Sequence, residues 1–244
     1  FNRPRVVICV PSAITAVERR AVIEATKRAG AADAHLLDQP MAAAIGAGLP
    51  INEPIANMVV DIGGGTSETA LVSLGGVVAL EAVRVGSFDI DAAVVTYIRR
   101  EYGIAIGEQT AEEIKIAIGS AEWTEDEVCA EVRGRDLMLG LPRTLILTPE
   151  EVRAAISEPV SAMVDSVVSC LGEAPPELAQ DLISQGIHMV GGGALLKGLD
   201  VRLANATGVP VQLVMQPLEA VVLGAGRIVD KYESLKPIFL DGRR

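Results

Sequence analysis

The sequence predicts an α/β protein. Half of its 244 residues are hydrophobic and only 3% are aromatic, so Ala, Val, Ile and Leu supply the core. Short β-branched runs alternate with capped helical stretches, and glycine clusters punctuate the joins. This length is enough for one large domain or two modest ones.

The elements follow in order. "RVVICVP" (5–11) is a β-branched run stopped by Pro11 and predicts a buried strand. "TAVERRAVIEATKRAG" carries Thr15 and Glu18 at capping-box spacing and Gly30 as a stop, which predicts a helix. "AHLLDQP" predicts a strand and "PMAAAIGAG" a small-residue helix opened by Pro40. Two strands flank the turn in "VVDIGGGTSETALVSLGG" (59–76), and "GGVVALEAVRVG" gives a third. The helix "DIDAAVVTYIRREYG" ends at Gly103. Residues 104–147 change texture, with a helix capped by Thr110 and Glu113 and short polar strands in "EVCAEVRG" and "RTLILT", so an inserted subdomain is expected. A long helix restarts at Thr148 and Pro149 and is kinked or split by Pro159. "IHMV", the turn Gly191–Gly193 opening a helix, "VPVQLV" and the helix "PLEAVVLGAGRIVDKY" close the chain. No low-complexity linker interrupts it, so the parts pack together.

Charge and cysteine usage exclude several functions. A net charge of -11 leaves nothing to neutralise phosphates along a groove, so no nucleic-acid partner is expected. It also argues against purely electrostatic attachment to anionic lipid. Cys9, Cys129 and Cys170 are dispersed without CxxC spacing and suit reduced thiols of a cytosolic protein. His35 and His188 are too few for a zinc site or a triad. No uninterrupted apolar run approaches the ~20 residues of a membrane span.

Two glycine turns carry the chemistry. At the first, Gly63, Gly64 and Gly65 can take positive φ, and successive N–H groups can converge on an anion. Asp61 would repel a bare anion, but it fits if Mg²⁺ with its water shell lies between carboxylate and phosphate. Thr66 adds a hydroxyl. That combination suggests a nucleotide triphosphate tail; a tight hairpin with an acid on its shoulder fits the same spacing. The second turn, Gly191 to Gly193, can present backbone donors and a helix start to a polar ligand, or serve close strand–helix packing. No GxxxxGK[ST] loop or GxGxxG fingerprint occurs.

"RPRVVICVPSAITAVERRAV", "DQPMAAAIGAGLP", "NMVVDIGGGTSETALVSLGGVV", "TAEEIKIAIGSA", "GRDLMLGLPRTLIL", "PPELAQDLISQGIHMVGGGALLKGLD" and "PLEAVVLGAGR" together resemble the MreB family of bacterial actins, in that family's order. "DIGGGT" alone would suit an Hsp70 equally; the "TAEEIK" helix and the "LPR" strand favour MreB. The resemblance implies an actin-like ATPase fold with a ribonuclease H-like motif, two lobes and a small inserted subdomain. Residues 1–57 and 217–244 would be the remnant of the first lobe (IA-like). Residues 58–94 and 160–216 would form the second-lobe core (IIA-like), and 95–159 the inserted subdomain (IIB-like).

The resemblance also implies ATP and Mg²⁺ as ligands. Asp61 would hold the Mg²⁺-bound water, and Gly63, Gly64, Gly65 and Thr66 would wrap the β- and γ-phosphates. Gly191, Gly192, Gly193, Ala194 and Leu195 would lie beneath base and ribose. Glu112, Glu113, Ile114 and Lys115 would form the other wall. Gln39 falls where such proteins place the residue that orients the attacking water. The family usually has Glu-Glu before "PMAAAIG" where this chain has Asp38 and Gln39. An amide can still orient a water by hydrogen bonding. The family's opening segment, with its first phosphate loop, is expected to be missing, which leaves the first lobe incomplete and predicts weak ATP binding and poor hydrolysis. Phe1 resembles the aromatic of a loop that such proteins push into the membrane, worth about 2 kcal/mol at best; an ordinary chain end is the alternative. The implied role is a cytoplasmic protein, peripheral at the inner face of the cell membrane. It would polymerise with ATP and work with inner-membrane cell-shape and cell-wall synthesis proteins to maintain rod shape. A catalytically impaired scaffold of the same family is the alternative.

Overall fold

The structure is a computed structural model that describes residues 3–125, 127–235 and 238–240; Phe1, and with it the expected membrane contact, lies outside them. Strand β1 (Arg5–Val10) leads into helix α1 (Ala16–Arg28), whose capping box forms as expected. Thr15 N–H donates to Glu18 Oε2 at 2.7 Å, and Glu18 N–H donates to Thr15 Oγ1 at 3.2 Å. Strand β2 (Asp33–Asp38) returns parallel to β1 as a two-stranded sheet and passes directly into α2 (Gln39–Ala47). Next come β3 (Asn57–Ile62), β4 (Ser67–Ser73) and β5 (Gly76–Val83), an antiparallel meander, followed by α3 (Ser87–Tyr102).

Residues 104–147 hold β6 (Ile104–Ala105), α4 (Glu108–Ile118), β7 (Ala130–Asp136) and β8 (Pro142–Leu147), the three strands forming their own antiparallel sheet. Here the expected cap is corrected: α4 starts at Glu108 behind Gly107, so Thr110 lies inside the helix and caps nothing. The long helix expected after Thr148 is two helices, α5 (Pro149–Ala155) and α6 (Ser157–Gly172), bent by 58°. The break falls at Ile156, ahead of Pro159, which sits in the first turn of α6 where a missing N–H costs nothing. Among the described residues no single helix is long and apolar enough to cross a membrane.

Helix α7 (Pro176–Gln185) follows, an element not among those expected from the sequence. Then come β9 (Ile187–Val190), α8 (Leu199–Thr207), β10 (Val211–Leu213) and α9 (Ala220–Asp230). Strands β9 and β10 join the meander, giving the order β10-β9-β3-β4-β5, with β9 parallel to β3 and β10 parallel to β9.

This five-stranded sheet separates two cores. Met58, Val60, Ile62 and Leu71 face one cluster, which includes Ile90 of α3 and Met163 and Val167 of α6. Val59, Ala70, Val72 and Val190 face the other, with Met41 and Ala42 of α2 and Ala220 and Ile228 of α9. Alternation along the strands sends odd and even residues to different sides. Every residue of β3 and β4 is therefore buried.

On the second side, α2 and α9 cross at glycine. A Cβ on Gly46 would lie 1.7 Å from the Ala220 carbonyl oxygen, and one on Gly224 would lie 1.8 Å from that of Ala42. Arg227 also donates to the Ile45 carbonyl. Backbones this close leave no room for a methyl group. Gly46→Ala and Gly224→Ala should each destabilise the protein by about 3 kcal/mol through overpacking. Gly226→Ala, on the same helix with nothing within 4 Å, should stabilise by about 0.5–1 kcal/mol. Urea unfolding of the three variants measures both signs.

Candidate functional site

The loop between β3 and β4 is held from behind by the start of α3. Ser87 N–H donates to the Gly63 carbonyl at 3.0 Å and Phe88 N–H to the Gly64 carbonyl at 2.8 Å, while Gly63 N–H donates to the Thr66 carbonyl at 2.9 Å. None of Gly63, Gly64 and Gly65 has a positive φ, which corrects the expectation for this turn. Glycine serves here through contact. A Cβ on Gly64 would stand 2.6 Å from the Phe88 ring, and one on Gly86 only 2.4 Å from the Gly64 carbonyl oxygen. Among the described residues, no protein acceptor meets the N–H groups of Gly64, Gly65 and Thr66. Three successive unpaired donors beside a Cβ-free backbone form a concavity suited to an anion.

Asp61 is the penultimate residue of β3, with Ile62 between it and this loop, and it is 9% exposed. Burial pushes its carboxyl up from 3.8 to about 6. Beside it, across the Asp61–Val190 register of β3 and β9, lies the second glycine turn. Gly191 has φ +86°, and a Cβ there would fall 2.7 Å from Asp61 Oδ1; a Cβ on Gly193 would fall 2.2 Å from Ile62 Cγ2. The two turns thus stand side by side at the carboxyl ends of adjacent parallel strands of one sheet, where open α/β sheets bind ligands. They do not face each other from opposite sides of a crevice. The second turn does not open a helix either, contrary to expectation. Gly193–Leu195 is a single 3-10 turn, and α8 begins only after Gly198, whose φ of +72° breaks the path.

The ends of β1 and β2 reach the same place. Ser12 N–H, just past β1, donates to Glu68, the register partner of Asp61 on β4. Burial raises the Glu68 carboxyl, and the anions of Asp61 and Asp38 raise it further. Gln39 follows Asp38 at the start of α2, half-buried, and its side chain neither caps the helix nor makes another hydrogen bond among the described residues. Nor do the described residues contain a group of three or more His, Cys, Asp and Glu side chains able to hold a metal on their own. A cation here would need oxygens from a ligand besides Asp61, and a phosphate chain supplies them.

Next to the glycine turns is a cavity of about 360 Å³, lined by Ser87, Glu112, Lys115, Gly192, Gly193 and Leu195. That volume lies in the small-ligand range. Leu218 and Ile116 also line it, as residues for which the sequence offered no signal beyond hydrophobicity. Lys115 is not free: its Nζ lies 2.9 Å from Asp91 Oδ1 and 3.4 Å from the Ser87 carbonyl oxygen. Asp91 is 6% exposed, so this pair ties α4 to α3 under the cavity. The remaining predicted residues lie outside the cavity lining. Glu113 accepts from Gln109 Nε2 and, with Ile114, borders a separate hollow against β7. Ala194 is buried in the core, and Gly191 packs on Ile62.

The sheet order and the paired turns at its carboxyl ends define an actin-like fold, and solved structures agree. MreB5 of Spiroplasma citri bound to AMPPNP matches with a TM-score of 0.90 at 33% identity, over 95% of this chain and 69% of that one. Its ADP-bound form gives 0.91. A MamK double helical filament matches at 0.78 and 20% identity, over 93% of this chain and 69% of that one, which speaks for the fold alone.

The family model described as MreB/Mbl protein matches residues 1–237, and this chain belongs to that family. The cell shape-determining protein MreB of Escherichia coli K12 is 49% identical over 228 residues, 93% of this chain and 65% of its own length. The cell shape-determining protein Mbl of Bacillus subtilis 168 is 41% identical over 237 residues, 96% of this chain and 71% of its own length. The chain thus spans just under two thirds of the E. coli relative.

The raised Asp61 carboxyl makes a signed prediction. Well below pH 3.8 the group is protonated in both folded and unfolded chains. Between about 4 and 6 only the unfolded chain ionises, so stability is lost as pH rises through that window. Asp61→Asn should therefore match the parent near pH 3.8 and exceed it by about 3 kcal/mol above pH 6.5. Denaturation at several pH values measures the difference; equal stability at pH 7 would remove the burial cost.

Proposed function

We propose that this chain carries the ATP site of an actin-like cytoskeletal protein that polymerises and maintains rod cell shape. The observation that carries the reading is the row of N–H groups at Gly64, Gly65 and Thr66 that meet no protein acceptor among the described residues, beside the buried Asp61 and an adjoining cavity. The AMPPNP- and ADP-bound states of the S. citri relative support the nucleotide.

In this reading Gly64, Gly65 and Thr66 donate backbone hydrogen bonds to phosphate oxygens, and Gly63, whose N–H is held by the Thr66 carbonyl, wraps the same phosphates through its Cβ-free backbone. Asp61 would hold Mg²⁺ through its water shell, while Gly192, Gly193 and Leu195, with Glu112 and Lys115, would hold base and ribose. Mg²⁺ would neutralise charge on the phosphates. Gln39 orients the attacking water through its amide, which cannot take up a proton. That chemistry favours, as a second reading, a scaffold that binds nucleotide and turns it over slowly. Residues 1–57 and 217–244 would act as one lobe, 58–94 and 160–216 as the second, and 95–159 as the subdomain above the site.

Filament formation, a peripheral position at the inner face of the cell membrane, weak membrane contact through Phe1, and work with inner-membrane cell-wall synthesis proteins belong to the same proposal. The names of the E. coli and B. subtilis relatives support the cell-shape role, and the MreB5 likeness supports a shared actin-like build.

Titration with a fluorescent ATP analogue, with and without Mg²⁺, tests the site. Mg²⁺-dependent binding is expected, and Asp61→Ala should weaken it roughly 10–100-fold while the fold is kept. Sedimentation with Mg-ATP tests assembly. Absence of binding at millimolar nucleotide would refute the reading.

A further inference from the structure

Glu68 is a buried acid that the nucleotide reading leaves without a task. It is 2% exposed and pairs in register with Asp61 across β3 and β4, so both carboxylates project from the same face of the sheet. That face also carries Val59, Ala70 and Val72, and an aliphatic side chain at 68 would suit it without the cost of burying a carboxylate. No cation pairs with Glu68 among the described residues. Its two oxygens both accept from one donor, the backbone N–H of Ser12, at 3.2 and 3.3 Å.

Ser12 lies in the short loop Pro11–Thr15 between β1 and α1. Each end of that loop is fixed. Val10 is paired with Asp38 on one side, and the Thr15–Glu18 capping box starts α1 on the other. Between these anchors, the Glu68 bond is the side-chain tie from the loop to the five-stranded sheet among the described residues. Ser12 Oγ is itself buried with no hydrogen-bond partner there. A loop that keeps an orphaned buried hydroxyl, and is tied through the Ser12 N–H to the carboxylate opposite Asp61, is positioned for something outside the protein.

We propose that Glu68 is a positioning residue: by holding the Ser12 amide it fixes the Pro11–Thr15 loop against the Asp61 end of β3, and through the loop it sets the affinity for metal-bound nucleotide. This deepens the nucleotide reading and rests on it. The bond joins the β1–α1 segment to the sheet that carries both glycine turns, so the two move together.

Hydrogen exchange at the Ser12 amide and Mg-AMPPNP affinity, measured on the same full chain, test it. Glu68→Ala should speed Ser12 exchange at least tenfold, leave protection elsewhere in β1 and α1 unchanged, and weaken Mg-AMPPNP about tenfold. Glu68→Gln, whose amide oxygen still accepts, should hold both within threefold of the parent. Should Glu68→Ala not fold, Ser12→Pro deletes the donor instead and should reproduce the affinity loss. If both single variants fold, the double variant should be no worse than either. Unchanged Ser12 exchange in Glu68→Ala, or equal affinity losses in the Ala and Gln variants, would overturn the positioning role. A parent chain that takes up no Mg-AMPPNP defeats the nucleotide reading, and the affinity part of this proposal with it; Ser12 exchange then decides separately whether Glu68 holds the loop.

Discussion

Strands β3 and β4 have no solvent-facing side. Met58, Val60, Ile62 and Leu71 fill one core, and Val59, Ala70 and Val72 fill the other. On such strands the charged groups fall near one end. Asp61 and Glu68 stand at that end, as register partners flanking the glycine loop. The high desolvation that raises both carboxyls follows from this position. It is also what makes a cation or a donor beside them worth more than it would be in water.

The second side of the sheet is covered by helices that touch through glycine. Gly46 and Gly224 let α2 and α9 approach until each backbone meets the other. That contact brings the start of α2, and so Asp38 and Gln39, to the end of the β3–β4 hairpin. The same device recurs at the site. Gly86 lets the start of α3 close on Gly64, and Gly191 and Gly193 let the turn after β9 close on Asp61 and Ile62. Close packing at these glycines fixes the backbone of both turns.

Much of this was legible in the residues. Thr15 with Glu18 and Thr148 before Pro149 announced caps that form, and Gly103 and Gly48 end helices in the left-handed conformation. Thr110 and Glu113 matched the same pattern, yet the helix begins behind Gly107, because Ala111, Ile114 and Ile118 dictate which face is buried. Local capping chemistry loses to tertiary burial there. At the site, motif spacing marked two turns that the structure sets side by side, but not the reason for their glycines. Positive φ was expected at residues 63–65, whereas contact with Phe88 and Gly86 supplies it, and that contact is non-local. Glu68 gave no signal, since an acid between Ser67 and Thr69 reads as an exposed strand position until its partner Ser12 is known.

The central claim is that the two glycine turns, Asp61 and the cavity beside α4 form one nucleotide site. A crystal structure of this chain grown with Mn²⁺ and AMPPNP tests it most directly, because Mn²⁺ is located by its anomalous signal. The account predicts the metal beside Asp61, phosphate density over the N–H groups of Gly64, Gly65 and Thr66, and the base in the cavity lined by Glu112, Gly192 and Leu195. A nucleotide bound elsewhere, or a metal peak away from Asp61, would contradict it.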